Sequence, residues 1–214
     1  MSGAKSIVKL EGRLPKMVVF DLDFTLWDCW CDTHVSPPLK RRGTDLNKVY
    51  DKHNQPLSFY ADVPQILLQL HHSNIHVAAA SRTHAPRVAR QILSELLLPG
   101  SHRDDANDPL KARASSKEGE TVAAIKLFDS MEIYPGSKME HFRELNKKTG
   151  VAFEDMIDDE MLSSSQVFFD DESRNREVAK LGVTFVLVHS GVTRQLFESG
   201  IDAWRKGASD RRPE

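Results

Sequence analysis

An apolar run that ends in two carboxylates constrains the fold of this chain more than any other feature. Residues 18–26 read Val-Val-Phe-Asp-Leu-Asp-Phe-Thr-Leu, so Asp21 and Asp23 are followed by the hydroxyl of Thr25. A continuous apolar run is typical of a strand buried on both faces, and ligands of open α/β sheets bind where such strands end. Two carboxylates about 4 Å apart repel by roughly 4 kcal/mol at an effective dielectric of ~20, so the pattern predicts a cation beside them. The alternative interpretation is a strand followed by a turn that Asp and Thr cap.

The composition indicates a folded protein that does not bind polyanions. The chain has 214 residues, of which 40% are hydrophobic and 28% charged, and its formal net charge is −2. This balance disfavours nucleic acid and membrane surfaces as partners, and we find no apolar segment typical of a signal peptide or a membrane span. The two cysteines, Cys29 and Cys31, are too close in sequence for an ordinary disulfide. We therefore expect free thiols and a cytoplasmic location, with the nucleus left open.

Segments typical of strands and helices alternate along the chain. Apolar runs at 75–80, 166–169 and 183–188 predict further buried strands, and amphipathic segments between them predict helices. This alternation predicts an α/β fold with a doubly wound, mostly parallel sheet and helices on both faces. We expect one domain over residues 1–214 with its core at about 15–204. The polar segments expected outside that core are surface insertions at about 101–120 and 154–165 and a tail at 205–214.

Local signals predict where some of these elements begin and end. Asp62 is expected to cap the helix that follows it. Ser137 and Glu140 have the spacing of a capping box, and Gly150 is expected to end the helix that they begin. Residues 28–60 are polar and lack a helical period, so we expect a long loop or a small flap over the end of the first strand.

Polar side chains recur at predicted strand ends and helix starts. In chain order they are Asp21, Asp23 and Thr25; Ser81 and Arg82; Lys138; and Asp170 and Asp171. Taken singly, Ser81 would cap a helix, Lys138 would be a surface lysine in a first helical turn, and the acidic pair would be capping residues. Taken together, they supply carboxylates for a metal, a hydroxyl for phosphoryl oxygens and a cation that neutralises charge, which are the parts needed for metal-assisted phosphoryl transfer.

The order of these motifs resembles that of the haloacid dehalogenase (HAD) superfamily and, within it, of the magnesium-dependent phosphatase family. The segments that carry the resemblance lie at 19–27, 32–35, 78–83, 133–142 and 167–175. Asp28 departs from the family pattern, in which a proline follows the tryptophan. The resemblance implies a HAD-like fold, and the intervals between the motifs are too short for a large cap domain.

The resemblance also implies a mechanism and a cofactor. Asp21 is the implied nucleophile, already ionised at pH 7 if its pKa lies near ~3.9, and Asp23 is the implied general acid and base. Mg²⁺ is the implied cofactor. Its implied ligands are Asp21, the main-chain carbonyl of Asp23, and Asp171, with Asp170 as a neighbour in the same network. The residues implied to bind the phosphate or the substrate are Thr25, Ser81, Arg82 and Lys138.

The implied substrates are phosphorylated small molecules or phosphoproteins, including aryl phosphates such as phosphotyrosine and sugar phosphates. Trp27, Trp30 and Tyr134 are candidates to stack on an aromatic leaving group, or alternatively to support the flap. The alternative function is a non-catalytic phospho-ligand-binding or partner-docking protein derived from a phosphatase, with the insertions as protein contacts. A response-regulator receiver domain is disfavoured because its acidic pair would precede the phosphorylated aspartate.

Two further groups lie near the predicted site in sequence. His141 follows Lys138 by one helical turn, so it either faces the site or is a structural histidine. Cys29 and Cys31 follow the first motif, and their oxidation would gate the site unless they are unreactive thiols.

Overall fold

A parallel sheet of five strands organises the residues that the computed structural model describes, which are 10–100, 121–157 and 161–209. The strands are β1 (Met17–Phe20), β2 (Val49–Tyr50), β3 (Pro56–Leu57), β4 (His76–Ser81), β5 (Leu97–Pro99), β6 (Thr121–Ala123), β7 (Ser130–Ile133), β8 (Glu154–Ile157), β9 (Met161–Ser164), β10 (Gln166–Asp170) and β11 (Thr184–Leu187). The α-helices are α1 (Cys31–His34), α2 (Val63–His72), α3 (Pro86–Glu95), α4 (Lys138–Thr149) and α5 (Arg194–Ser209), and 3₁₀ helices span Ala124–Leu127 and Ser173–Leu181. Within these ranges, no helix combines the length and the apolar character needed to cross a bilayer.

The order of the strands places β1 at the centre of the sheet. The order is β11-β10-β1-β4-β7, and every neighbouring pair is parallel. Met17 lies beside Gln166 on one side and beside His76 on the other. The prediction of an α/β fold with a mostly parallel sheet is therefore confirmed. The apolar pattern does not predict the edge strand β7, because Ser130 and Glu132 interrupt its apolar residues.

Side chains of β1 alternate between two hydrophobic cores, one on each face of the sheet. Val18 and Phe20 belong to the larger core, which also contains Leu67 of α2, Ile92 of α3 and Phe197 of α5. Met17 and Val19 belong to the smaller core, with Phe142 of α4 and Val178 of the second 3₁₀ helix. Because both faces of β1 are covered, its apolar run is continuous, as the sequence pattern predicts.

The predicted flap, residues 28–60, contains the one-turn helix α1 and the antiparallel pair β2–β3. It is fixed at both of its ends. Trp27 forms an antiparallel bridge with Phe59, and the hydroxyl of Tyr60 donates a hydrogen bond to Oδ1 of Asp28 at 3.1 Å. Asp28, which stands where the family pattern has a proline, therefore joins the first residue of the flap to the last.

The segment 154–165, predicted as a surface insertion, contains the hairpin β8–β9 instead of irregular chain. Its last residues are anchored in the molecule: Ser164 and Ser165 are buried, and the indole of Trp204 donates to the carbonyl oxygen of Ser164 at 2.7 Å. The other predicted insertion, 101–120, and the end of the predicted tail, 210–214, lie outside the described residues.

Two of the predicted helix ends are confirmed, and one predicted cap is wrong. The hydroxyl of Ser137 accepts a hydrogen bond from the main-chain N–H of Glu140, and Gly150 ends α4 in the left-handed conformation. The side chain of Asp62, in contrast, makes no capping hydrogen bond to α2. Its carboxylate accepts from the N–H of Arg194 at 2.8 Å, so it serves the start of α5, a helix 132 residues away in sequence.

The loop between β11 and α5 packs against the flap through Gly191, which has a φ of +76°. A Cβ at this position would lie 2.3 Å from the ring of Tyr60, whereas a Cβ at Gly43, which also has a positive φ, would meet no atom within 4 Å. We expect Gly43→Ala to lose roughly 1–2 kcal/mol of unfolding free energy through backbone strain alone, and Gly191→Ala to lose more. Urea unfolding of both variants measures this difference, and equal losses would show that the Tyr60 ring moves aside at no cost.

Candidate active site

A cavity of about 190 Å³ lies at the carboxyl end of the sheet, where β1, β4 and β10 end and α4 begins. The residues that line it are Asp21, Asp23, Trp30, Asp32, Ser81, Arg82, Thr83, His84, Lys138, Asp171, Glu172 and Arg174. The order β10-β1-β4 brings residues from distant parts of the chain together, because the carboxyl ends of parallel strands lie on the same side of the sheet. Six of the predicted site residues therefore share one cavity.

Lys138 crosses from the first turn of α4 to the central strands. Its ammonium lies 2.7 Å from Oδ1 of Asp21 and 3.1 Å from Oδ2 of Asp170, and it also donates to the carbonyl oxygen of Ala80. Three acceptors match the three N–H donors of a lysine. Lys138 is 1% exposed, which excludes the alternative of a surface lysine. Burial opposes its charge, but the ion pairs with Asp21 and Asp170 outweigh this effect and raise the pKa of the Lys138 ammonium.

Three carboxylates stand together beside this ammonium. Oxygen atoms of Asp21, Asp170 and Asp171 all lie within 4.8 Å of one another. Asp170 is buried behind the cavity wall, where both of its oxygens accept from Nδ2 of Asn175 at 2.9 Å and one accepts from the N–H of Glu172 at 2.7 Å. Asp171 is half-buried and lines the cavity. Asp170 thus makes its hydrogen bonds within the protein, whereas Asp171 is the member of the acidic pair that lines the cavity.

The environment of Asp21 and Asp171 disfavours the ionised forms of these two carboxyl groups. Burial raises the pKa of Asp21 to about 8, with the charges of Asp170 and Asp171 adding to the shift and Lys138 opposing it. Burial also raises the pKa of Asp171 to about 6, aided by the charges of Asp170 and Glu172. This differs from the expectation that Asp21 is ionised by virtue of an ordinary pKa. This set of oxygen donors has three carboxyl groups and a single ammonium beside them. It fits a hard divalent cation, which would favour the ionised forms of the carboxyl groups.

Asp23 is held by hydrogen bonds from two residues that do not line the cavity. Its Oδ1 accepts hydrogen bonds from the indole N–H of Trp27 at 2.7 Å and from the main-chain N–H of Cys31 at 3.1 Å. Burial raises the pKa of Asp23, and these two hydrogen bonds act against that shift. The carboxyl therefore combines a hydrogen-bonded oxygen on the core side with a place in the cavity wall.

Ser81 and Arg82 lie at the end of β4 and also line the cavity. Ser81 is not a helix cap, because α3 begins at Pro86, five residues later. Nη1 of Arg82 lies 3.4 Å from Oε2 of Glu172. Nε of Arg82 is buried and makes no hydrogen bond to any described residue. Ser81 and Arg82 thus place a hydroxyl and a guanidinium in the cavity lining.

The structure does not bring Thr25, a predicted phosphate-binding residue, to the cavity. Thr25 is fully buried, and its hydroxyl makes no hydrogen bond to the described part of the chain. Its main chain instead fixes the turn after Asp23: the N–H donates to the carbonyl of Leu22 at 3.2 Å, and the carbonyl accepts from Val192 at 3.0 Å. Thr25 is therefore not among the residues that line the cavity, and its role in binding phosphate stays a prediction.

The rim of the cavity contains residues that the sequence reasoning did not assign to the site. Glu172 lies between two arginines, since Arg174 binds it through Nε at 2.9 Å and Nη2 at 2.5 Å while Arg82 approaches from the other side. On the opposite side, His84 lies 3.7 Å from Asp32. Their place in the sequence could have indicated two of these residues, because Glu172 and Arg174 lie within three positions after the acidic pair.

Of the three aromatic candidates, Trp30 lines the cavity and is 52% exposed. Trp27 is buried, and neither it nor Tyr134 belongs to the cavity lining. The indole of Trp30 packs edge-on against Phe24 and stacks on His34. Trp30 is therefore the one of these three aromatic residues that lines the cavity.

His141 and the two thiols do not line the cavity. Nε2 of His141 lies 3.0 Å from the carbonyl oxygen of Tyr134, and the ring does not line the cavity. Cys29 and Cys31 are free, as expected. Burial raises the pKa of Cys29 to about 12, and that of Cys31 also rises through burial and the charge of Asp23. Both thiols stay protonated at neutral pH, which disfavours gating by oxidation.

Over most of its length, this chain is similar to a phosphatase family and to individual hydrolases of known sequence. The model of a family described as acid phosphatase matches residues 13–207. A HAD-like hydrolase superfamily protein of Schizosaccharomyces pombe is 40% identical over 174 residues, which cover 81% of this chain and 86% of that protein. Magnesium-dependent phosphatase 1 of Homo sapiens is 36% identical over 91% of this chain and 89% of its own length. A solved HAD-superfamily hydrolase from Ehrlichia chaffeensis aligns with a TM-score of 0.49 at 10% identity, over 92% of this chain and 98% of that one.

The buried imidazole of His141 makes stability depend on pH. Burial and the nearby charges of Lys138 and Arg82 lower its pKa to about 4, below the ordinary value of 6.5. As the pH falls from 6.5 to 4, the unfolded chain gains a proton at this histidine before the folded chain does. The free energy of unfolding therefore falls by roughly 3 kcal/mol over this range. Urea unfolding of His141→Gln should show a shallower pH dependence than the wild type. The control, His189→Gln, removes an exposed imidazole and should follow the wild-type curve; parallel curves for all three proteins would contradict the prediction.

Proposed function

This chain belongs to the acid phosphatase family within the HAD superfamily, and we propose that it is a magnesium-dependent phosphatase that works through an aspartyl-phosphate on Asp21. The observation that carries the proposal is the buried Lys138 ammonium, which lies between Asp21 and Asp170 at the edge of a cavity that Asp171 also lines. A buried cation that pairs with a cavity-lining carboxylate is suited to neutralising charge during phosphoryl transfer.

The carboxylate cluster fits the magnesium that the name of the human relative implies. Asp21 and Asp171, with the main-chain carbonyl of Asp23, would hold the ion, while Asp170 keeps its contacts with Lys138 and Asn175. When bound, Mg²⁺ supplies positive charge to the phosphoryl oxygens and favours the ionised carboxylates. This charge is needed because acidic groups outnumber cations in the cavity lining even with Asp23 protonated. The acidic groups are Asp21, Asp23, Asp32, Asp171 and Glu172, and the cations are Arg82, Lys138 and Arg174.

In the first proposed step, a carboxylate oxygen of Asp21 attacks the phosphorus of a bound phosphate monoester. The bond from phosphorus to the leaving oxygen breaks, and Asp23 gives its proton to that oxygen. Burial keeps the pKa of Asp23 above its usual range, which favours the protonated form that this step requires. Lys138 keeps its contact with Asp21 and balances the charge of the transferring group.

In the second proposed step, water attacks the phosphorus of the aspartyl-phosphate. Asp23, now ionised, accepts a proton from the water as the bond between phosphorus and Asp21 breaks. Inorganic phosphate leaves, and both carboxyl groups return to their starting states. Asp23 therefore serves as the acid in one step and as the base in the other.

The surroundings of the cavity support aryl phosphates as substrates. Ser81 offers a hydroxyl to the phosphoryl oxygens, and Arg82 adds a guanidinium that Glu172 holds at the rim. The half-exposed indole of Trp30 offers a face to an aromatic leaving group such as that of phosphotyrosine. Phosphorylated sugars are the second proposed class, since they need no aromatic contact and are bound through the phosphate.

We expect Mg²⁺-dependent hydrolysis of para-nitrophenyl phosphate that Asp21→Asn lowers by at least ~10³-fold, because the amide cannot act as the nucleophile. The matched control is Asp45→Asn, which changes an exposed carboxylate outside the cavity and should retain wild-type turnover. Steady-state rates with added Mg²⁺ and after EDTA treatment measure both effects.

A trapping experiment separates this proposal from the non-catalytic alternative. Mg²⁺-dependent binding of BeF₃⁻ to a folded wild-type protein that turns over no ester would indicate a phospho-ligand-binding protein. Full activity of Asp21→Asn would overturn the assignment of Asp21.

A further inference from the structure

We propose that Trp27 is a positioning residue for Asp23, fixing one carboxyl oxygen so that the other faces the leaving group. The inference rests on the proposed function, in which Asp23 transfers a proton to the leaving oxygen. The contact that carries it is the hydrogen bond of 2.7 Å from Nε1 of Trp27 to Oδ1 of Asp23.

Two N–H donors to Asp23 converge on the same oxygen, and the thiol of Cys31 also lies within hydrogen-bonding reach of this carboxyl. The main-chain N–H of Cys31, the first residue of α1, reaches Oδ1 at 3.1 Å and adds to the hydrogen bond from the indole. Trp27 is fully buried, so water does not compete for its N–H. A length of 2.7 Å lies in the range of charge-assisted N–H···O hydrogen bonds.

The backbone between these residues is shaped to make this contact. The N–H of Leu26 donates to the carbonyl of Leu22 at 2.8 Å, which closes one helical turn and brings position 27 back beside position 23. Phe24, inside this turn, has a φ of +54°, a conformation that a bulky residue adopts only when its surroundings enforce it. The ring of Trp27 is itself held against Phe59, with ring centres 6.2 Å apart.

This arrangement matters because a carboxyl group has two oxygens and the reaction needs one of them at one place. With two N–H groups directed at Oδ1, a proton on Asp23 is favoured on Oδ2. The same oxygen then gives the proton to the leaving group and later takes one from water. Without the indole, the carboxyl rotates more freely, and the proton is presented at the reacting oxygen for less of the time.

Leaving-group dependence distinguishes positioning from packing. General acid catalysis is worth more for an alkyl phosphate, whose leaving oxygen is strongly basic, than for 2,4-dinitrophenyl phosphate, whose leaving group needs no proton. We expect Trp27→Phe to lower kcat/KM for an alkyl phosphate at least about tenfold more than for the dinitrophenyl ester. General acids contribute about 10²–10⁴-fold to the rate, and loss of the indole N–H should remove part of that contribution. A change in packing alone would lower both values by the same factor.

The chain supplies a matched control in Trp204. It is also buried, and its indole N–H makes a hydrogen bond of the same length, 2.7 Å, but to the carbonyl oxygen of Ser164 at a site outside the cavity lining. Trp204→Phe should leave the ratio of kcat/KM between the two esters unchanged. If Trp27→Phe does not fold, as judged by thermal melting, site-specific replacement of Trp27 by benzothienylalanine keeps the ring shape and removes only the N–H.

The outcomes separate this inference from the proposed function. A selective loss on the alkyl ester in the Trp27 variants supports the inference. Equal losses on both esters, or no loss on either, would overturn it while leaving the phosphatase function intact. A folded wild type that hydrolyses neither ester would overturn the proposed function, and the role of Trp27 with it.

Discussion

The buried ammonium of Lys138 is the interaction on which the arrangement of the cavity depends. It joins the start of α4 to the ends of three strands, through Asp21 after β1, Ala80 of β4 and Asp170 of β10. A charge that is 1% exposed is tolerable only when its donors are satisfied, so the three acceptors must be in place together. The same contact that fixes the edge of the sheet also places a cation beside the proposed nucleophile.

The carboxyl groups of Asp21 and Asp23 interact with different kinds of neighbours, which suits their different proposed roles. Asp21 contacts a cation and two further carboxylates, so its charge state depends on charged neighbours and on a bound ion. Asp23 contacts uncharged N–H donors from Trp27 and Cys31, so its orientation depends on the fold of the turn and of α1. Separation of this kind lets one group stay a nucleophile while the other exchanges protons.

Much of the fold was predictable because its strands follow a simple rule. β1, β4, β10 and β11 are apolar runs that end in polar residues, and the alternation with helices gives a parallel sheet. The edge strand β7 was not predictable, since edge strands need not be apolar on both faces. The convergence of Asp21, Ser81, Lys138 and Asp171 followed from strand order, whereas their roles remain proposals. The bond from Trp27 to Asp23 depends on the unusual backbone at Phe24, and the function of Asp62 depends on a helix distant in sequence, so neither has a local sequence signal.

The central position of β1 has a consequence for shortened forms of this chain. Its two neighbours are far apart in the sequence: β4 ends at Ser81, and β10 begins only at Gln166. A product that stops after α4 would keep β4 but leave the other side of β1 unpaired. That side is a row of free N–H and C=O groups flanked by Val and Phe side chains, the kind of exposed edge that recruits strands from other molecules. Premature termination would thus yield a chain prone to aggregate, in addition to one that lacks Asp170 and Asp171.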